Sequence, residues 1–250
     1  MDAVILAGAL NSGALRSVSQ AHYEAEIEIA GQPMLDYVIH ALCGVRGIKK
    51  IVVVAPKEII SKINLKKVIF VERGKSMIES LFNGLRILEA IEPVLIVTSD
   101  IPLITAEALE DFLARCTKNS GDIYYSFVSK TVNEEKYPQV QRTYVKLKEG
   151  TFTGGNLVLL TPQVFQEHRD ILEKAASLRK KPVQLCCLLG WRHLWRLLRG
   201  ELTIHDIEQR VMKTFNLAAV GVISPYPEVG IDVDKPSDLQ LVREVLDKTK

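Results

Sequence analysis

Short apolar runs alternate with helical periodicity along the first two thirds of the sequence, and this alternation constrains the fold more than any other feature. Four runs of mostly branched apolar residues have the length of a strand: AVILAG (3–8), KKIVVVAP (49–56), KKVIFVE (66–72) and PVLIVTSD (93–100). Three other segments have apolar residues at helical spacing: MLDYVIHAL (34–42), SMIESLFNGLRILEA (76–90) and AEALEDFLARC (106–116). Apolar strands separated by helices are typical of a mostly parallel sheet covered on both faces. We therefore expect an α/β fold, built as a three-layer α/β/α sandwich.

The pattern changes beyond residue 120. Three further strand-like runs are DIYYSFV (122–128), RTYVKLK (142–148) and NLVLLTP (156–162), and TFTGG (151–155) is expected to turn the chain between the last two. Residues 162–216 indicate consecutive helices, after which AVGVIS (219–224) resumes the sheet and KPSDLQLVREVLDK (235–248) forms a closing helix. We expect a single domain over residues 1–250, with a helical insertion at about 162–216.

Composition limits the class of protein. Hydrophobic residues make up 47% of the chain and charged residues 25%, which are values of a folded globular protein. A net charge of +2 argues neither for nor against nucleic acid, because extended binding needs a concentrated basic surface, and we expect no such partner. No apolar run approaches the roughly 20 residues of a membrane span, so we expect no transmembrane segment. The four cysteines form no C-x-x-C pair, and the N-terminus lacks the basic region of a signal peptide, so a cytoplasmic location is expected.

The stretch VLIVTSDIPLIT (94–105) places one carboxylate, Asp100, at the end of the most apolar strand. Pro102 prevents this segment from continuing as a central strand. Ligands of parallel sheets collect beyond the carboxyl ends of the strands, and Mg²⁺ binds one or two carboxylates together with substrate oxygens. Asp100 is therefore a candidate Mg²⁺ ligand, and a helix cap or loop acid is the simpler alternative.

A second acidic segment is GIDVDKPSDL (230–239). Asp232 and Asp234 flank Val233 at the exit of the last strand, so alternation places both carboxylates on the same side. Acids at the ends of two strands of one sheet could share a metal with Asp100.

A glycine loop, LAGALNSGALR (6–16), follows the first strand. Gly8 and Gly13 leave backbone N–H groups free to face an anion, and the forked guanidinium of Arg16 could reach a phosphate. The spacing is neither the Walker pattern nor G-x-G-x-x-G, so an ordinary strand–helix turn is the alternative.

Four motifs together resemble the nucleotidyltransferases of the glycosyltransferase-A-like superfamily, especially the MobA-like NTP transferases. That group contains molybdenum-cofactor guanylyltransferase and methylerythritol-phosphate cytidylyltransferase. The motifs are AVILAGA, AGQPMLDYVIHAL, VTSDIPLIT and GIDVDKPSDLQLV. The resemblance implies a Mg²⁺-dependent enzyme that moves a nucleoside monophosphate from an NTP, CTP or GTP, to a small phosphate- or hydroxyl-bearing acceptor and releases pyrophosphate.

The same resemblance implies a role for individual residues. The implied nucleotide contacts are Leu6, Ala7, Gly8, Ala9, Gly74 and Ser76. The implied catalytic residues are Arg16, at the phosphates, and Asp100. The implied acceptor-side residues are Gly154, Gly155 and Asn156. The implied metal ligands are Asp100 and Asp234, with Asp232 as a further candidate.

Two departures from the family pattern bear on catalysis. Ala9 replaces the second glycine of the family's LAGG loop, and Glu24 occupies the position of a lysine that supports the α-phosphate. Losing one such oriented contact typically lowers the rate on the order of a hundredfold. One alternative is therefore a catalytically silent nucleotide-binding protein. A glycosyltransferase that uses a nucleotide sugar is another, although SDIP lacks the D-x-D pair that would favour it.

The basic stretch LRKKPVQLCCLLGWRHLWRLLRG (178–200) has three arginines at helical spacing close to two tryptophans. A helix packed on the sheet, or a homodimer contact through the insertion, is the favoured interpretation. A cap over the acceptor site and a membrane-surface helix are the alternatives.

Overall fold

The computed structural model describes residues 1–60, 68–118, 120–178, 181–187 and 190–248. The strands are β1 (Asp2–Leu6), β2 (Glu28–Ile29), β3 (Gln32–Pro33), β4 (Ile51–Ala55), β5 (Val68–Glu72), β6 (Val94–Thr98), β7 (Ile123–Ser129), β8 (Val145–Leu147), β9 (Gly150–Leu160) and β10 (Ala219–Ser224). The helices are α1 (Met34–Gly44), α2 (Lys57–Ile60), α3 (Met77–Leu88), α4 (Ala106–Cys116), α5 (Lys130–Lys136), α6 (Pro162–Glu167), α7 (Arg169–Leu178), α8 (Pro182–Cys187), α9 (Trp191–Leu198), α10 (Ile204–Phe215) and α11 (Pro236–Asp247).

One mixed sheet of eight strands organises the molecule. Its order is β10-β7-β9-β6-β1-β4-β5, and β8 pairs with the first half of β9. The parallel ladders join β1 to β4 and to β6, β4 to β5, and β7 to β10. Strand β9 is antiparallel to its three neighbours, β6, β7 and β8. The predicted mostly parallel sheet is therefore confirmed, with β9 as its reversed strand.

Helices cover both faces of the sheet because the central strands are apolar on both sides. Along β4, Val53 packs in the cluster that contains α1 and α4, while Val52 and Val54 pack in the cluster under α3, α6 and α7. Successive side chains of a strand point to opposite faces, so one continuous apolar run supplies two cores. The three-layer sandwich is confirmed.

The chain reverses between β8 and β9, before the TFTGG segment (151–155) in which the turn was predicted. The hairpin between β8 and β9 closes with only two residues, 148 and 149, because Leu147 pairs with Gly150. Gly150 has φ +152°, which a side chain would strain. Residues 151–155 then lie inside β9, so the predicted turn there is wrong. The short helix α5 between β7 and β8 was not predicted.

Helices α6 to α10 occupy the stretch expected to be a helical insertion, and the described residues between 162 and 216 contain no strand. Helix α10 begins with a capping box, in which the Thr203 hydroxyl accepts from Asp206 N and the Asp206 carboxylate accepts from Thr203 N. Among the helices in the described ranges, none combines the length and the apolar character needed to cross a bilayer.

Candidate active site

Three carboxylates meet at the carboxyl end of the parallel strands. Asp100, Asp232 and Asp234 each offer one oxygen, and these atoms all lie within 4.8 Å of one another. All three side chains are partly exposed, so a ligand could reach them. The predicted proximity of the two acidic segments is confirmed.

Backbone pairing holds the two acidic segments together. Val233 N donates to the Asp100 carbonyl at 2.8 Å, and the Val233 side chain is fully buried. Extended backbone alternates its side chains, so the two flanking aspartates point away from the core on the side of Asp100. The Thr98 hydroxyl donates to the Asp100 carboxylate. The segment does not leave a strand directly, because β10 ends at Ser224 and a 3₁₀ turn (Pro227–Gly230) intervenes.

A buried arginine that the sequence did not single out fixes the second acidic segment. Arg142 donates from Nε to the Gly230 carbonyl at 3.1 Å and from Nη2 to the Asp232 carbonyl at 2.5 Å. Its Nη2 lies 3.4 Å from Asp232 Oδ1, and its Nη1 lies 3.5 Å from Asp238 Oδ2. Asp238 Oδ2 also accepts from the backbone N–H of Asp234 at 3.2 Å. The guanidinium therefore links the acid-bearing loop at Gly230 and Asp232 to Asp238.

A second buried contact anchors the 3₁₀ turn that precedes these acids. Glu228 accepts from Lys136 Nζ at 2.5 Å and from the Tyr137 hydroxyl at 2.7 Å, and it is almost completely buried. Burial, together with the hydrogen bond to Glu228, raises the pKa of the Tyr137 phenol. The tyrosine therefore stays a neutral donor across the physiological range.

The glycine loop after β1 is held by pairing with residues 22–24. Glu24 N donates to the Ala9 carbonyl at 3.0 Å, and Leu10 forms a β-bridge with Tyr23. Arg73, at the end of β5, donates to the Gly8 carbonyl at 3.0 Å, and its guanidinium lies 5.7 Å from the Tyr23 ring centroid. A side chain at Gly8 would press against Arg73, at 3.0 Å from its Cδ. A positive charge therefore lies on the loop.

Arg16 is turned toward its own loop. Its Nη1 donates to the carbonyls of Gln20 and Ala21, both at 3.0 Å. The guanidinium that contacts the carbonyl of Gly8 is that of Arg73, and not that of Arg16. A contact between Arg16 and phosphate stays a prediction.

The other expected nucleotide contacts have structural partners of their own. Ser76 caps α3, because its hydroxyl accepts from Glu79 N at 3.1 Å. Gly74 packs so closely on Glu79 that an added Cβ would lie 2.5 Å from its Cγ. The Leu6 carbonyl accepts from Ser99 N at 3.2 Å, which brings the start of the glycine loop beside the Asp100 segment. Ala7 N donates to Val54 O, so the loop leaves the sheet only after Ala7.

The expected acceptor residues lie in the part of β9 that runs beside β7 in the sheet. A side chain at Gly154 would overlap the Tyr125 hydroxyl, and one at Gly155 would lie 2.8 Å from Val229 Cγ1. Asn156 Nδ2 donates to the Val229 carbonyl at 3.3 Å. This part of β9 therefore packs against the turn that leads to Asp232 and Asp234, and its contact with an acceptor stays a prediction.

A mixed, mostly parallel central sheet flanked by helices is the arrangement of the nucleotide-diphospho-sugar transferase fold. Residues 3–197 match the MobA-like NTP transferase domain, and the chain belongs to that family. The predicted enzyme class, a nucleotidyltransferase, is thereby confirmed at the level of the family.

The chain is 27% identical over 244 residues to the bifunctional protein GlmU of Thermodesulfovibrio yellowstonii. The match covers 93% of this chain and 49% of that protein, so the chain spans about half the length of this relative. A structure described as a hypothetical transferase from Thermus thermophilus has 33% identity and a TM-score of 0.80, and covers 95% of this chain and 98% of that one.

Two further structures are similar in fold alone. CMP:2-keto-3-deoxy-manno-octonic acid synthetase complexed with CTP gives a TM-score of 0.64 at 15% identity and covers 100% of both chains. The 4-diphosphocytidyl-2C-methyl-D-erythritol synthase of Anaerococcus prevotii gives 0.61 at 14% identity and covers 98% of this chain and 95% of that one.

Proposed function

We propose that the protein transfers a nucleoside monophosphate from an NTP to a small phosphate- or hydroxyl-bearing acceptor and releases pyrophosphate. The observation that carries the proposal is the cluster of Asp100, Asp232 and Asp234 beside the glycine loop. CTP and GTP are the first donors to test, because one structural neighbour is complexed with CTP and the family resemblance includes a guanylyltransferase.

The donor set fits Mg²⁺. Three carboxylates offer oxygen ligands, which this hard cation prefers, and their partial exposure leaves room for substrate oxygens. Asp100 and Asp234 would be its ligands, with Asp232 as the third carboxylate. When bound, the ion would offset the negative charge on the phosphate oxygens.

The rest of the chemistry requires positioning more than a protein nucleophile. Backbone N–H groups of Gly8 and Ala9 would hold the triphosphate, with Arg73 supplying positive charge at the same loop. An acceptor oxygen held near residues 154–156 would then attack the α-phosphorus in line with the leaving pyrophosphate. The new bond joins the acceptor oxygen to phosphorus, the bond between the α-phosphorus and the bridging oxygen breaks, and the acceptor proton goes to solvent or to pyrophosphate.

The test is a thermal-shift panel of the four NTPs with and without Mg²⁺, followed by a pyrophosphate-release assay with sugar phosphates and alcohols as acceptors. The proposal expects one NTP to stabilise the protein only when Mg²⁺ is present. Asp100→Asn should remove this stabilisation with little change in the stability of the ligand-free protein. The matched control is Asp170→Asn on the exposed surface of α7, which should bind as wild type does. Mg²⁺-dependent binding that survives in Asp100→Asn would exclude this site.

Ala9 and Glu24 favour a second candidate, a silent nucleotide-binding protein, because they replace the second loop glycine and the lysine that the family resemblance implies. NTP binding without any pyrophosphate release, together with higher NTP affinity in Glu24→Lys, would support this candidate. We also expect a cytoplasmic location, where NTPs are available.

A further inference from the structure

Helix α9 has an apolar face that is largely exposed and that the described residues leave uncovered. Trp191, Trp195 and Leu198 are spaced by four and three residues, which places them on the same side of the helix. Their exposed fractions are 71%, 54% and 64%. The sequence contains only two tryptophans, and both stand on this face. The expected packing of this helix on the sheet involves its other side, through Leu197, and leaves the tryptophan face exposed.

The opposite side of α9 is firmly attached to the protein. Leu197 packs against a small cluster formed by Leu147, Phe152, Cys186 and Leu202. Arg196 Nη2 lies 2.7 Å from Asp206 Oδ2 on α10, and this guanidinium lowers the pKa of the Asp206 carboxyl. The tryptophans are thus presented outward by an anchored helix.

The charge of the same stretch is concentrated and of one sign. By sequence, residues 178–200 contain six lysines and arginines and no acidic residue: Arg179, Lys180, Lys181, Arg192, Arg196 and Arg199. Arg179 and Lys180 lie outside the described residues. The whole chain has a net charge of only +2, so the remainder of the protein is net negative. Arg192 and Arg199 are exposed, and each follows a residue of the tryptophan face directly in sequence.

This surface lies at the same edge of the sheet as the candidate active site. Phe152, on which α9 packs, pairs with Ser129 at the carboxyl end of β7. The parallel strands deliver Asp100 and the glycine loop to that edge.

We propose that α9 docks on the surface of an anionic phospholipid bilayer. Tryptophan side chains suit the boundary between headgroups and acyl chains, because one end of the ring is apolar and the indole N–H stays hydrated. The flanking arginines bind lipid phosphates, and each basic residue near an anionic bilayer typically strengthens binding about fivefold. The protein is thereby held on the membrane surface with its active-site edge nearby.

A homodimer through the same face fits the charges less well. A two-fold contact places a patch against its own copy, so Arg192 and Arg199 of two protomers would approach one another. Residues 178–200 contain no acidic residue to compensate this repulsion, and Asp206 on α10 is already paired with Arg196. An anionic bilayer supplies the missing negative charge.

The test uses the full-length protein with vesicles of phosphatidylcholine alone and of phosphatidylcholine mixed with phosphatidylglycerol. Tryptophan fluorescence reports on the face directly, and it should shift to shorter wavelength with the anionic vesicles only. Co-sedimentation should give at least about tenfold tighter binding to the anionic vesicles.

Variants separate the two components of binding. Trp191→Ser combined with Trp195→Ser should abolish co-sedimentation, and Arg192→Gln combined with Arg199→Gln should weaken it roughly twentyfold or more. The matched control is Ile91→Ser, because Ile91 is 80% exposed but lies outside this surface. Circular dichroism checks that each variant remains folded.

Three results would overturn the proposal. The first is a wild-type protein that sediments with neither kind of vesicle. The second is binding that the tryptophan substitutions leave unchanged. The third is a dimer in light scattering that the tryptophan variant converts to a monomer while vesicles leave wild-type fluorescence unchanged, which would assign the face to self-association.

Discussion

Replacing Arg142 with methionine removes the guanidinium that joins the acid-bearing loop while keeping an apolar side chain of similar length. Arg142 is 8% exposed and Asp238 is 4% exposed, so the carboxylate of Asp238 would lose its buried cation. The carbonyls of Gly230 and Asp232 would lose their donors at the same time. We therefore expect Arg142→Met to destabilise the protein and to disorganise the metal-site acids.

The magnitude follows from the burial. Removing one member of a buried ion pair typically costs about 3–5 kcal/mol. Asp238 keeps two backbone donors, Asp234 N and Lys235 N, so we expect the lower end, about 3 kcal/mol. For a chain of this size, each kcal/mol lowers Tm by about 2–4 °C, which gives a decrease of about 6–12 °C.

The assay is a thermal melt of Arg142→Met with and without Mg²⁺, beside the control Arg115→Met. Arg115 forms an ion pair with Asp111 on α4 that is partly exposed, so its loss should cost less than about 1 kcal/mol. Arg142→Met should also lose the Mg²⁺-dependent stabilisation by NTP, which Arg115→Met keeps. Equal Tm values and equal Mg²⁺ responses for the two variants would refute the assigned role of Arg142.

Three more outcomes are expected. Gly155→Ala should lower stability by about 1–3 kcal/mol in a denaturant titration, because its methyl group would overlap a serine hydroxyl of β7. Burial raises the pKa of the Cys116 thiol to about 12, so it stays protonated at pH 8. Iodoacetamide should then modify the exposed Cys43 and Cys187 and spare Cys116, as mass spectrometry of peptides would show. Arg73→Gln should weaken NTP binding in calorimetry, whereas Glu24→Lys should leave it unchanged or strengthen it, and the opposite pair of results would contradict the assignment of positive charge at the glycine loop.

The sequence predicts those parts of the fold that local periodicity determines. AVGVIS (219–224) and AEALEDFLARC (106–116) coincide with β10 and α4, because each run has one period and clear ends. The direction of β9 was not predicted, since alternation gives a strand its faces but not its orientation relative to neighbours. TFTGG was mistaken for a turn because glycine there serves close packing against β7 rather than a reversal of the chain.

The acidic residues of the candidate site were predictable from the sequence, whereas the arginine that holds their loop was not. Asp232 and Asp234 stand two residues apart in extended backbone, and that spacing alone indicated a shared side. Their proximity to Asp100 was predicted because the carboxyl ends of parallel strands meet at one edge of the sheet. Arg142 gave no comparable signal, because it acts through contacts with residues 88–96 positions away in the sequence.

The two departures from the family pattern, Ala9 and Glu24, change different properties of the glycine loop: the first its shape and the second its charge. Ala9 does not have a left-handed φ, and neither does Gly8, so the path of the loop does not depend on a second glycine. What the replacement adds is one exposed methyl group at the loop surface. Glu24 changes charge instead, at a position whose backbone is tied to Ala9. Arg73 brings a guanidinium from the end of β5 to the same loop, so under the proposed function it would supply the positive charge that an NTP requires without a lysine at position 24.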